Sequence, residues 1–139
     1  METLKVAIDI GAFIPVREHD DDAGLDLYAK EDGWIFPFSR RAFDTGTHVA
    51  IPRGWVGLLT SKSGMMLNMG VTSRGTIDSG YNGSIRAVLF NHSWRFVKIK
   101  SGQKVTQLVL VPCATPKLKF VNELEETERG ADGFGSTGR

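Results

Sequence analysis

The sequence predicts an all-β fold, a distorted jelly-roll-like β-barrel with one short helix, and three observations carry that expectation. Apolar residues recur with a period of two rather than 3.6. The runs are short and rich in β-branched or aromatic side chains, which suit a pleated, half-buried surface. Gly, Pro, Asn or Asp clusters interrupt them about every 8–12 residues, a spacing of sandwiches and barrels rather than of βαβ units.

Taken in order, "LKVAIDI" places Leu4, Val6, Ile8 and Ile10 on one face, with Lys5 and Asp9 on the other. "GLDLYA" groups Leu25, Leu27 and Ala29 against Asp26 and Tyr28. "THVAI", "WVGLLT", "SIRAVLF", "WRFVKI" and "KVTQLVLV" supply further strands. "SKSGMMLNMGV" breaks the pattern: its methionines and leucine favour a helix over Ser63–Met69, which Gly70 would stop. "NELEETE" (122–128) is charged and poor in apolar surface, so it is expected as an exposed connector or edge strand. The chain suits one domain, a barrel over 1–128 and a glycine-rich arm over 129–139.

With 41% hydrophobic residues and a formal net charge of +1, the composition is that of an ordinary globular protein. The balanced charge gives no strong case for a nucleic-acid or membrane partner. "METLKVAIDIGAF" has no basic region ahead of an apolar run, and no stretch approaches the roughly 20 apolar residues of a membrane span, so a cytoplasmic protein is expected. The single cysteine, Cys113, allows no internal disulfide and reads as a packing residue. His19, His48 and His92 are scattered, read as surface or loop residues, and make no case for a protein-ligated metal.

Five stretches carry polar residues that packing alone explains poorly. Asp26 in "AGLDLYA" is either a functional carboxylate or a solvated one on an outer strand face. Lys62, Ser63 and Gly64 open the predicted helix, where backbone N–H groups favour an anion; a serine there can equally be a plain cap. "GTIDSGYNG" reads as a hairpin in which Asp78 and Tyr81 face each other across a tight turn. A carboxylate in a pocket can deprotonate water and a tyrosine ring can wall a sugar, although Asp, Asn and Gly also favour turns on their own account. Gln107 is placed on the strand face of Val105 and Val109, where a buried amide needs a partner. In "RGADGFGSTGR", Arg129 can fork a phosphate, Ser136 and Thr137 can donate, Gly133 and Gly135 permit a backbone anion nest, and Phe134 offers a flat lid.

"AGLDLYA", "SKSG", "GTIDSGYNG", "GQKVTQLV" and "RGADGFGSTG", in this order from about residue 23 to the end, resemble the five motifs of the trimeric deoxyuridine triphosphatases, the dUTPases. The resemblance implies a homotrimer that hydrolyses dUTP to dUMP and pyrophosphate with Mg2+, keeping uracil out of DNA and supplying dUMP for thymidylate synthesis. It implies Asp78 as the general base, with Tyr81 under the deoxyribose and the backbone of Thr76, Ile77 and Asp78 reading the uracil edge. Lys62, Ser63 and Gly64 would hold the phosphates, Gln107 would bind near the α-phosphate, and Arg86 would lie near the phosphates. Asp26 would reach a water around the magnesium, with no direct protein ligand. Arg129, Ser136 and Thr137 would take the γ-phosphate end while Phe134, beside Gly135, stacks over the base.

Each site would combine three subunits, with the terminal arm swapped onto a neighbour. Four positions depart from the family's usual residues: Lys62 for arginine, Thr72 for an asparagine that contacts the ligand, Gly80 for aspartate, and Asp132 for glycine. Two other readings remain beside the enzyme. One is a regulator of this fold that binds a protein partner according to nucleotide occupancy. The other is a dCTP deaminase, which would need a glutamate arrangement that "GTIDSGYNG" lacks.

Overall fold

The alternating run Lys104–Pro112 becomes the spine of the molecule, strand β10 in the numbering used below. The computed structural model describes residues 1–135. Along the chain it holds β1 (Val6–Ile8), β2 (Leu25–Tyr28), β3 (Gly33–Ile35), β4 (Arg40–Asp44), β5 (Thr47–Val49) and β6 (Trp55–Thr60). The helix α1 (Ser63–Met69), β7 (Val71–Ile77), β8 (Arg86–Asn91), β9 (Val97–Ile99) and β10 follow. A six-stranded sheet runs β2-β10-β6-β7-β8-β4, and two small sheets, β1-β5 and β3-β9, complete the curled, half-barrel form. Every strand pair among the described residues is antiparallel. The predicted all-β class with one short helix is what the chain adopts.

The core follows the period of two. Leu27, Leu59 and Leu108 meet in one buried cluster, and Ala29, Leu89, Val105 and Ile99 in another. Two buried hydroxyls are linked inside it: Ser73 Oγ donates to Thr106 Oγ1 at 2.9 Å, and Thr106 Oγ1 to the Thr60 carbonyl at 3.1 Å. Pairing of this kind offsets the cost of desolvating a hydroxyl. Helix α1 inserts Met65 into the core and ends at Gly70, whose φ of +67° lets its N–H reach the Met66 carbonyl at 3.2 Å. The reversal feeds directly into β7.

Three expectations need correction. Leu4, Val6, Ile8 and Ile10 do not share a core face: Val6 is 42% and Ile10 99% exposed. A turn intervenes, with Ala12 N–H on the Asp9 carbonyl and Gly11 at φ +83°, so the alternation ends after Ile8. Cys113 is half-buried beyond β10, outside both core clusters. His48 is a half-buried strand residue and not a loop residue. Strands β3 and β4 escape the sequence pattern because "RRAFD" sets two cations beside the only deeply buried side chain, Phe43. Segment 122–128 is an exposed connector without strand pairing.

Candidate functional site

Asp26 lies on β2, one strand from Gln107 on β10, which it faces in register. Its carboxylate is almost wholly buried, so the solvated outer-face alternative fails. The reason is local: residues 16 and 26 exchange backbone hydrogen bonds, Asp26 N–H to Val16 carbonyl at 2.8 Å and the reverse at 3.2 Å, which folds the preceding loop over the strand. Lys62 Nζ pairs with Asp26 Oδ1, and Lys104 Nζ stands 3.4 Å from Oδ2 and 3.2 Å from Glu18 Oε2. The hydrogen bond it donates to Glu18 and then the charge of Asp26 hold the Lys104 ammonium above the usual lysine range. Lys104 and Glu18 are members of this network that the motif reading missed; "GQKVTQLV" contains the lysine, but only the fold brings it to Asp26.

Gln107 shares this cavity of about 250 Å³ with Glu18, Asp22, Gly24, Asp26 and Lys62. Its Nε2 donates to the Ser61 carbonyl at 3.1 Å. It is not on the face of Val105, as the alternation suggested: the register slips between Lys104 and Thr106, so Val105 is in the core and Gln107 is in the cleft. Gly24 leaves room for this carboxamide, because a Cβ at that position would overlap Gln107 Oε1 and displace it. Gln107 also borders a groove of about 670 Å³ along β6 and β7 that Thr72, Arg74 and Thr76 line. Thr72 Oγ1 is 2.7 Å from His92 Nε2.

Lys62, not Ser63, is the helix N-cap residue, and no side-chain cap bond is made. The plain capping role for Ser63 is therefore not realised; Ser63 is exposed, and a Cβ on Gly64 would meet nothing within 4 Å.

Asp78 follows the last residue of β7, and Tyr81 N–H donates to its carbonyl at 3.1 Å, closing the predicted turn. Gly80 has φ +88°, the left-handed value a turn of this kind takes at its third residue and one that glycine adopts without strain. Asp78 and Tyr81 are both exposed, and Tyr81 Oη donates to the Ser84 carbonyl at 2.9 Å. Two ties anchor the loop. His48 contacts the Asn82 carbonyl at 2.8 Å, and Ser84 Oγ donates to Asp44 Oδ1. Burial pushes Asp44 up, but the Ser84 hydroxyl, the Gly46 N–H, Lys30 and Arg86 together hold it below the usual carboxylate range. Arg86 stands opposite Asp44 in the β4–β8 register and is exposed.

In the tail, Arg129 Nε donates to the Asp132 carbonyl at 2.7 Å, Phe134 is fully exposed at φ +50°, and Gly135 has φ +84°. Ser136 and Thr137 lie outside the described residues. The chain thus gathers Asp26, Lys62 and Gln107 at one cavity and Thr72, Thr76 and Gln107 at the adjoining groove, and presents Asp78 with Tyr81 on the hairpin and Arg129 with Phe134 on the tail. Among the described residues no group of three or more His, Cys, Asp or Glu is placed to hold a metal ion.

The family model that describes dUTPases matches residues 12–138, nearly the whole chain and every group just described. The chain belongs to the dUTPase family. The deoxyuridine 5'-triphosphate nucleotidohydrolase of Clostridium kluyveri is 40% identical over 141 residues, covering 99% of each chain. The Yarrowia lipolytica protein of that name is also 40% identical, over 98% of this chain and 89% of its own. The dUTPase of Staphylococcus bacteriophage 80alpha, solved with dUpNHpp, superimposes with a TM-score of 0.92 at 32% identity over the full length of both chains, and phage dUTPases of that kind control transfer of virulence genes. A variant dUTPase from phage phi11 of S. aureus, which coordinates a structural Mg(II) ion, gives 0.83 at 31% identity over 90% of this chain and all of its own.

Proposed function

We propose that this dUTPase hydrolyses dUTP to dUMP and pyrophosphate, and that Asp78 is its general base. The single observation that carries the assignment is Asp78 itself. Its carboxylate is exposed just beyond β7, whose Thr72 and Thr76 line the groove shared with Gln107, and among the described residues it has no hydrogen-bond or ion-pair partner. Asp78 accepts a proton from water, the water oxygen bonds to the α-phosphorus, and the bridging α–β P–O bond breaks to release pyrophosphate. Reactions of this kind depend on positioning and charge neutralisation more than on covalent help. Tyr81 walls the deoxyribose, and the backbone of Thr76, Ile77 and Asp78 reads the uracil edge; a base that leaves those groups unpaired is rejected.

Lys62, Ser63 and Gly64 receive the phosphates, Arg86 adds a nearby cation, and Gln107 binds near the α-phosphate. Lys62 lacks the bidentate fork of arginine but keeps the charge. When substrate arrives, its phosphates compete with Asp26 for Lys62. The donor set fits magnesium in one way only: a single buried carboxylate, Asp26, beside a polar cavity suits a hydrated ion held chiefly by the triphosphate, since magnesium keeps waters and uses few protein oxygens. Bound there, the ion supplies charge neutralisation to the phosphates.

The proposed assembly is a homotrimer whose tails, residues 129–139, close over a neighbour's site, with the barrel of 1–128 as the folding unit. Leu118, Phe120 and Leu124 support it: they are 80–90% exposed on a connector that makes no strand pair among the described residues. Arg129, Ser136 and Thr137 then take the γ-phosphate end and Phe134 covers the base, the ordering cost falling at closure. A second reading, a nucleotide-dependent regulator of a protein partner, rests on the likeness to the phage 80alpha dUTPase. Release of pyrophosphate from dUTP, dCTP, dTTP and UTP with magnesium tests the enzyme. Turnover confined to dUTP is expected, and none with dUTP at micromolar concentration overturns the assignment. Sedimentation measures the assembly.

A further inference from the structure

The loops joining β3 to β4 and β8 to β9 form a surface that the dUTPase reaction does not use. Five large rings lie on it in the open: Trp34 at 49%, Phe36 at 62%, Phe38 at 58%, Trp94 at 84% and Phe96 at 63% exposure. Clustered exposed apolar surface of this kind marks an interaction site, whereas single exposed residues need no explanation. The rings are organised. Phe38 and Trp94 meet edge to face with centroids 4.6 Å apart, Phe36 and Phe96 at 5.5 Å, and Lys98 Nζ stands 5.7 Å from the centroid of Trp34.

A buried residue holds both loops in place. Asn91 Nδ2 donates to the carbonyls of Ile35 and Phe36 at 3.2 Å and of Arg95 at 2.7 Å, while its Oδ1 accepts from the N–H and hydroxyl of Ser93 at 3.0 and 2.7 Å. All of the carboxamide is used, so the platform is preorganised before any ligand arrives. Phe38 is held at φ +52°, a region costly for a bulky residue, which keeps an exposed ring where glycine would be cheaper.

Charge distinguishes the occupant. The overall charge of +1 argues against a polyanion only if it is evenly spread, and it is not. Residues 33–43 and 86–100 carry six of the chain's 17 lysines and arginines and no acidic residue, the flanking Asp32 and Asp44 standing at the ends of β3 and β4 away from the loop that joins them. The cations alternate with the rings: Phe38 precedes Arg40, Arg95 separates Trp94 from Phe96, and Lys98 covers Trp34. Phe38, Arg40, Phe90, Asn91 and His92 also line a cavity of about 150 Å³, room for one flat ring.

We propose that this aromatic–basic platform binds single-stranded nucleic acid, bases stacking on the exposed rings and phosphates meeting Arg40, Arg95, Lys98 and Lys100. A strand alternating a flat apolar group with an anion is the ligand whose chemistry repeats that of the surface. Duplexes, whose bases are already stacked, do not satisfy the rings.

The test uses the intact protein with a non-hydrolysable deoxyuridine triphosphate analogue saturating its nucleotide sites, and fluorescein-labelled dT20 and rU20 read by anisotropy. Binding is expected at 50 mM NaCl, weakening roughly 10–60-fold by 200 mM as a few phosphate contacts are screened. Trp94→Ala and Phe96→Ala, both at exposed positions, should each weaken it about 5–100-fold while dUTP turnover, the check on folding, is unchanged. The ratio of dT20 to rU20 affinity tells which strand the surface prefers. Several outcomes overturn the proposal: no anisotropy change at 50 mM NaCl; equal binding of an abasic strand of the same charge; equal competition by poly-glutamate, which assigns the surface to an acidic protein; or a change of sedimentation mass in Trp94→Ala, which assigns it to a second copy of the chain.

Discussion

His48 Nδ1 lies 2.8 Å from the carbonyl oxygen of Asn82, while Nε2 of the same ring lies 2.9 Å from Asp9 Oδ1. Both ring nitrogens therefore face acceptors, and only the protonated imidazole donates to both. The strand β5 is pinned in this way to the loop that carries Asp78 and Tyr81. Asp44 pins the same loop through Ser84.

The first prediction is a pH window for that loop. The Asn82 carbonyl, then Asp9, with a smaller contribution from Asp44, raises the His48 pKa above its ordinary value; Lys5, bordering the same cavity, is the nearby cation. A raised folded pKa contributes stability that is full below the unfolded value of about 6.5 and is lost as pH rises through the folded one. Asp44 has the opposite sign: its lowered pKa contributes stability above the ordinary carboxylate value that is lost as pH falls through the folded one. Melting temperature measured from pH 3 to 9 should fall at both ends. His48→Gln should remove the decline on the basic side and leave the acid side in place.

A second prediction concerns the carboxylate itself. Asp78→Asn keeps the shape of the side chain and removes its capacity to accept a proton. Turnover should fall about 10²–10⁴-fold, while binding of a non-hydrolysable analogue stays close to wild type. Single-turnover kinetics with a parallel binding titration separates the two quantities. Full activity in this variant would remove Asp78 from the reaction.

Gly24→Ala is a more demanding check on the cleft. The added methyl would occupy the place of the Gln107 carboxamide, and Gly24 lies in the loop side of the Asp26 cavity rather than among the groups assigned to the phosphates. Gln107 must swing away and lose its bond to the Ser61 carbonyl, at a cost of about 1–3 kcal/mol if that group stays buried and unpaired. The expected result is a kcat/KM close to that of Gln107→Ala. The double variant should add little further loss, since the two substitutions remove one interaction.

Much of the fold and site was legible in residues that act locally. The helix over Ser63–Met69 and its stop at Gly70 follow from neighbouring side chains, as does the Asp78–Tyr81 turn. What the alternation could not show depends on partners distant in the chain. The slip in β10 that turns Gln107 away from Val105 is set by β2, some 80 residues earlier. Lys104 has no reason to be noticed until Asp26 and Glu18 lie beside it. Strand β4 hides because its cations are answered elsewhere, Arg41 by the Trp34 carbonyl at 3.2 Å and by the Phe43 ring. A net charge likewise conceals how that charge is distributed.

The last prediction separates barrel from tail. Phe134 is wholly exposed and Arg129 Nε donates to the Asp132 carbonyl within its own turn, so among the described residues 129–135 none joins the core. A chain ending at Glu128 should keep its melting temperature and, by sedimentation, its number of subunits. Its turnover of dUTP should nevertheless fall on the order of 10²-fold or more if the arm acts as proposed, since clamp and lid would go together and positioning losses of that size accompany small misplacements. Trapping the full chain with a non-hydrolysable analogue should protect the Arg129 bond from trypsin, and the unliganded chain should be cut there first. Equal cleavage with and without the analogue would mean that the arm does not close over the nucleotide.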